Sequence, residues 1–75
     1  MTLADLSHQQ SQARILDFSG DGHIIERLRE MGLAPGTEVT FVGQAPFAGP
    51  RIYRFGITVL ALRLEEAQCA QISLL

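Results

Sequence analysis

Asp21, His23 and Glu26 have a spacing that suits a metal ion. They read Asp-x-His-x-x-Glu, a set of oxygen and imidazole donors for iron or zinc. A polar helix start explains the same three residues, and that is the preferred reading. Cys69 has no second cysteine, so neither a disulfide nor a structural zinc site is expected of it. It is expected in a last strand, facing away from Ala70 and Ile72, with no base assigned to make it a nucleophile. All six basic residues are arginines. Arg51, Arg54 and Arg63 are expected on the outer face of a sheet. There they either pair with Glu38, Glu65 or Glu66 or form a patch for an acidic partner. Without lysine there is no Gly-x-x-x-x-Gly-Lys phosphate loop, so the chain is not expected to bind nucleotide itself.

Phe47 is the most conspicuous candidate for a contact. It lies in the loop Gly43-Gln-Ala-Pro-Phe-Ala-Gly-Pro50, between two prolines. A large aromatic at such a tip either folds back as a plug on the end of the molecule or presents itself to a partner. Aromatics are enriched at interface hot spots, and stiff flanking prolines reduce the entropy lost on docking. Ala45, Pro46, Phe47, Gly49, Pro50 and Arg51 form the expected partner-binding set. A groove for proline motifs is not expected, since those are aromatic-lined and the chain has no Trp and one Tyr, Tyr53.

Local signals place these residues on elements. Residues 1–12 read as an N-terminal arm in which Leu3 and Leu6, three apart, fit one helical turn or a tacked-down segment. Ala13–Phe18 reads as a strand stopped by Ser19-Gly-Asp-Gly22. A helix is predicted over His23–Met31, with Ile24, Leu28 and Met31 on one apolar stripe and Ile25 beside it. Glu26–Arg29 and Arg27–Glu30 are spaced to pair along its wet side, and Asp21 suits the N-cap. Gly32 can adopt the left-handed conformation that ends a helix, with Leu33 covering Leu28. Pro35-Gly36 then turns the chain. Carbonyls rather than amides point out of a helix end, so Gly32, Leu33, Pro35 and Gly36 are read as a structural turn and not as an anion cradle.

The rest of the pattern is β. Glu38–Val42 alternates, Arg51–Phe55 follows the loop, Gly56 breaks the run, and Ile57–Leu64 makes a further strand with Leu60, Leu62 and Leu64 on one face. Glu65-Glu66-Ala67 suits a helical turn, and Ala70, Ile72 and Leu74 alternate in a last strand. The fold class is therefore mainly β with one inserted helix. A small, partly closed SH3-like barrel of about five strands is expected, with an antiparallel α+β sheet as the alternative. Val39, Phe41, Leu60, Leu62 and Ile72 are the expected core, joined by Leu28.

Composition narrows the function. The chain has 75 residues, 47% of them apolar, and a net charge of −2. One small domain is expected, with little room for a multi-residue active site. The mild negative charge argues against binding led by nucleic-acid phosphates. The longest strongly apolar run, Ile57–Leu62, is far short of the ~18 residues of a spanning helix. A single cysteine and no leader-like start point to a reducing, cytoplasmic setting.

Arg27-Leu-Arg-Glu-Met-Gly-Leu-Ala-Pro-Gly-Thr-Glu-Val39 resembles the signature of the FeoA family, the small cytosolic proteins of bacterial ferrous iron transport. Ala45-Pro46, Ala61-Leu62-Arg63 and Glu66-Ala67 agree with it, so the resemblance spans roughly residues 13–74. One segment departs from the family pattern. The loop after Ala45-Pro46 usually continues leucine–glycine–aspartate–proline, whereas here it reads Phe47-Ala48-Gly49-Pro50. Any role tied to the missing acid is not carried over.

The resemblance implies an SH3-like fold and no catalysis of its own; no cofactor is expected, with weak transition-metal binding as the one alternative. It implies a supporting role for a FeoB-type membrane ferrous iron permease, whose cytosolic part includes a GTP-binding domain. The chain would then sit at the inner face of the cell membrane through that partner. Arg27 or Arg29 could reach a GTPase site as a finger in trans. The alternative implied function is a metal-sensing regulatory module, similar to the SH3-like domain of iron-dependent repressors.

Overall fold

The computed structural model describes residues 1–75. Five strands form one antiparallel sheet: β1 (Gln12–Phe18), β2 (Glu38–Gln44), β3 (Arg51–Phe55), β4 (Thr58–Leu62) and β5 (Ala70–Leu74). Their spatial order is β4-β3-β2-β1-β5. Helix α1 (Gly22–Glu30) is inserted between β1 and β2, and a short helix α2 (Leu64–Ala67) joins β4 to β5. The two edge strands do not pair with one another, so the curled sheet is a partly closed SH3-like barrel. Register shifts between Ile15 and Asp17 in β1 and between Phe41 and Gly43 in β2 bend the sheet.

Helix α1 begins and ends where the local chemistry dictates. The Asp21 carboxylate accepts hydrogen bonds from the backbone N–H of His23 (2.8 Å) and of Ile24 (3.3 Å), satisfying two of the free amides of the first turn. At the other end Gly32 takes a φ of 104°. Its N–H donates to the Arg29 carbonyl, and that of Leu33 donates to the Leu28 carbonyl. This is the paired-bond helix ending expected for Gly32-Leu33, with Leu28 and Leu33 both buried. The helix starts one residue before the expected His23. Of the anticipated stripe only Leu28 is fully buried; Ile24 and Ile25 are partly so, and Met31 faces solvent.

The core contains the expected Leu28, Val39, Phe41, Leu62 and Ile72, while Leu60 is only partly buried at the sheet edge. Ile15, Leu33 and Tyr53 complete its centre together with Leu3 and Leu6. Leu3 opens a single 3-10 turn, Leu3–Asp5, and both leucines are under 4% exposed. The arm is thus part of the core. β4 stops at Leu62, short of the expected Leu64, because Arg63 becomes the N-cap of α2 and Leu64 turns outward. Cys69 precedes the last strand rather than lying in it. It is buried, and its S–H donates to the Glu65 carbonyl.

Candidate functional site

The β2–β3 hairpin loop, residues 45–50, carries the most exposed aromatic of the molecule. Its base is closed by the Ala45 N–H donating to the Pro50 carbonyl at 2.9 Å. The Gly49 N–H donates to the carbonyls of Ala45 and Pro46, and the Gln44 side-chain amide donates to the Gly49 carbonyl at 3.1 Å. Phe47 and Ala48 both lie in the left-handed region, with φ of 61° and 55°. Such a conformation costs about 1–2 kcal/mol for each residue that has a Cβ. Gly49 cannot carry a side chain: a Cβ there would lie 2.8 Å from that of Ala45. The outcome is a braced loop with the Phe47 ring 101% exposed.

Phe47 does not fold back as a plug, and it is the N-terminal arm that reaches into the core from the other end of the chain. The Tyr53 hydroxyl donates to the Leu3 carbonyl at 2.8 Å, and the Arg51 guanidinium donates to the Leu6 carbonyl. These bonds seat the arm's leucines in the core.

Arg51 is consequently not on the outer face with Arg54 and Arg63. It is 8% exposed, its Nε donates to the Tyr53 hydroxyl at 3.0 Å, and its guanidinium lies 4.8 Å from the centre of the Phe41 ring. Its Nη1 also reaches the Gln44 side-chain carbonyl at 3.5 Å, linking the arm to the loop. Burial pushes the Tyr53 hydroxyl pKa up, and the neighbouring Arg51 only partly opposes it. Of the expected contact set, Pro46, Phe47 and Pro50 are exposed and Ala45 and Gly49 are half-buried, whereas Arg51 acts from inside.

Beside the loop runs a shallow cleft of about 360 Å³, lined by Ala48, Gly49, Pro50, Arg63, Leu64 and Glu65. It adjoins a second, of about 290 Å³, lined by Ile24, Arg27, Arg63, Glu65 and Glu66. Arg63 and Glu65 line both, so one furrow leads from the hairpin to α1. Arg63 is in no ion pair, whereas the Arg27 guanidinium lies 3.4 Å from the buried Glu66 carboxylate. The local pattern did not reveal this furrow, because Arg63 and the loop come together only through the β3–β4 register. Its walls offer Pro50, Leu64, the unpaired Arg63 guanidinium and the Glu65 carboxylate next to the exposed Phe47 ring, groups suited to holding a partner's surface.

The remaining candidates are placed elsewhere. Asp21 is engaged as a helix cap, and no three His, Cys, Asp or Glu side chains converge on a point. The expected Glu26–Arg29 and Arg27–Glu30 pairs do not form. Arg29 lies over the Phe18 ring at 5.6 Å, and Arg14 pairs with Glu38 at 3.1 Å. Arg27 and Arg29 therefore both have partners within the fold. Gly32, Leu33, Pro35 and Gly36 form the turn between α1 and β2, with the Gly36 N–H donating to the Ile15 carbonyl.

The model of the FeoA domain family matches residues 1–74. The chain belongs to the FeoA family. Over its full length this FeoA-family chain is 35% identical to an Fe(2+) transport protein A/Fe(2+) transporter FeoB fusion protein of Porphyromonas gingivalis. It spans only 9% of the length of that fusion. FeoA of Stenotrophomonas maltophilia, a prokaryotic SH3-domain protein solved with zinc, is 31% identical, with a TM-score of 0.81 over 97% of this chain and 89% of that one. The metal-dependent transcriptional regulator MtsR shares the fold over 34% of its chain, with a TM-score of 0.82 at 20% identity.

FeoA domains are small accessory domains of ferrous iron transport, and this chain has their fold and signature turn. No helix in it is long and apolar enough to cross a membrane. The family's usual loop glycine falls at Ala48, a position that takes a positive φ here without one.

Proposed function

We propose that this FeoA-family chain is a non-enzymatic accessory of ferrous iron uptake. It binds the cytosolic part of a FeoB-type permease, at the inner face of the cell membrane, and supports the permease's assembly or gating. The covalent joining of a 35% identical FeoA segment to FeoB in Porphyromonas gingivalis carries this reading. Fusion turns the meeting of two modules into an intramolecular event at high effective concentration, which is useful when the two act together. The contact is assigned to Phe47 and its proline-bounded loop, since a braced, fully exposed ring loses little entropy on docking. The role requires no bound cofactor. The metal-sensing alternative rests on a fold shared at 20% identity, with Asp21 of its candidate site already engaged as a helix cap.

The test is binding of the purified chain to the cytosolic part of the permease from the same cell, read by calorimetry. Phe47→Ala is expected to weaken binding by roughly 30-fold, the factor of a 2 kcal/mol hot spot, with an unchanged melting temperature. Absence of binding by the native chain, together with normal ferrous iron uptake in a strain lacking it, would overturn the proposal.

A further inference from the structure

The two edges of the sheet are treated differently. The β5 edge is covered by the chain's own start: Thr2 bridges Gln71, and the Ile72 N–H donates to the Met1 carbonyl at 2.9 Å. The β4 edge has no such cover, and no backbone bond beyond its ladder with β3 involves residues 58–62. Proteins blunt a free edge with charges, proline, a bulge or a covering segment. Thr58-Val-Leu-Ala-Leu62 has no charge and no proline, and its register with β3 runs without a shift.

The side chains along this edge are unsatisfied in the same way. Val59 is 61% exposed and Ala61 is exposed beside it on the outer face. Leu60 faces the core yet is only partly buried, because no further strand lies beyond it. The β3–β4 hairpin closes through Gly56 and Ile57, with Phe55 paired to Thr58. In an antiparallel hairpin with a two-residue loop, the residues flanking the loop bond to each other and alternate residues turn their amides away. That leaves the N–H and C=O groups of Val59 and Ala61 pointing at the open edge.

We infer that β4 is a self-association edge whose occupant is β4 of a second copy of this chain. The strand is self-complementary about Leu60. Paired antiparallel with itself, it sets Val59 opposite Ala61 of the second copy, in both directions, so that all four residues satisfy their outward backbone groups. The two Leu60 side chains then meet and cover the open side of each core. No like charges face one another: β4 itself carries none, and Arg63, the residue after Leu62, falls opposite Ile57 of the second copy in this register. A two-fold interface needs this kind of self-matching patch.

A five-residue edge falls short of the ~800 Å² per partner of a standard interface, so the dimer is weak, with dissociation at roughly 0.1–1 mM. In that dimer β5 forms both ends of a ten-stranded sheet, and the two Phe47 loops project from its opposite rims. Each Phe47 loop remains free, and the pairing does not depend on the function proposed above.

Sedimentation of the full chain is expected to show 8.2 kDa at ~10 µM and an apparent mass approaching twice that at millimolar concentration. Amide signals of residues 57–63 should shift over the same range. Val59→Glu and Ala61→Lys, both at exposed positions, should each keep the fold and abolish dimerisation. An equimolar mixture of the two variants should restore it, because the new carboxylate then faces the new ammonium. A chain that stays at 8.2 kDa at 1 mM, a dimer indifferent to both substitutions, or shifts confined to the Phe47 loop would each overturn the inference.

Discussion

Arg51→Met tests whether a buried guanidinium holds the N-terminal arm in the core. The substitution keeps an unbranched chain of similar length, so most of the apolar packing survives. It removes the donor to the Leu6 carbonyl and to the Tyr53 hydroxyl, and the cation over the Phe41 ring. Hydrogen bonds from a charged donor contribute about 1.5–3 kcal/mol each, and a desolvated cation–π contact about 2. The gross loss is partly offset because a charge no longer has to be dehydrated. A net loss of about 2–4 kcal/mol follows, with the Leu6 carbonyl left without its donor.

Against a total of about 4–11 kcal/mol for a domain of this length, that is a large share. At about 4–8 °C per kcal/mol for a small domain, the melting temperature should fall by roughly 10–30 °C. Circular dichroism gives the transition, and amide exchange gives its place, with the first six residues losing protection first. Arg51→Lys should be intermediate, since an ammonium cannot span both acceptors. A melting temperature of Arg51→Met within ~3 °C of the native protein would refute the reasoning. The arm would then be held by its leucines alone.

Leu3→Ala opens a cavity at a fully buried position and should cost about 2–4 kcal/mol in denaturant unfolding. Ala48→Gly relieves a φ of 55° and should stabilise the chain by about 0.5–1 kcal/mol, read as a rise in denaturation midpoint. The pH dependence of stability should carry the mark of Tyr53. Its hydroxyl pKa is raised above 10.0 by burial, so the unfolded chain loses that proton first. Stability from this group is complete below pH 10.0 and falls as pH rises through 10.0 towards the folded value. Tyr53→Phe should remove that fall while costing about 1 kcal/mol at neutral pH. An alkaline limb that persists unchanged in Tyr53→Phe would assign it to another group.

The elements that could be read from sequence are those encoded by neighbours. Asp21 caps, Gly32 reverses, and Leu33 returns over Leu28, all within a dozen residues, and the structure has each in place. The arm was not legible in this way, because the partners of Leu3 and Leu6 lie on β3, some 50 residues along the chain. A signal was nevertheless present. Arg51 and Tyr53 are two apart in a strand and so share a face, and a buried tyrosine draws its neighbour at that spacing inward. The charge on Arg51 suggested the opposite face. Phe47 is legible as a candidate but not as an exposed one, since nothing in its neighbouring residues decides whether its ring folds back.

The arm and the loop are therefore not independent parts. Gln44 holds the Gly49 carbonyl with its amide nitrogen and faces Arg51 with its oxygen, while Arg51 holds Leu6. A docking loop that adapts to its partner has no use for two prolines and two left-handed residues. Those features restrict the chain before any partner arrives, at a standing cost in stability that the surrounding contacts must offset. Leu3 and Leu6 supply part of that offset by filling the core from the far end of the chain. If a partner draws on the loop, the strain it releases or adds is transmitted through Gln44 and Arg51 to the arm. The first six residues, which touch nothing a partner would touch at Phe47, should then change their amide protection on binding. A loop that worked as a detached hook would leave them unchanged.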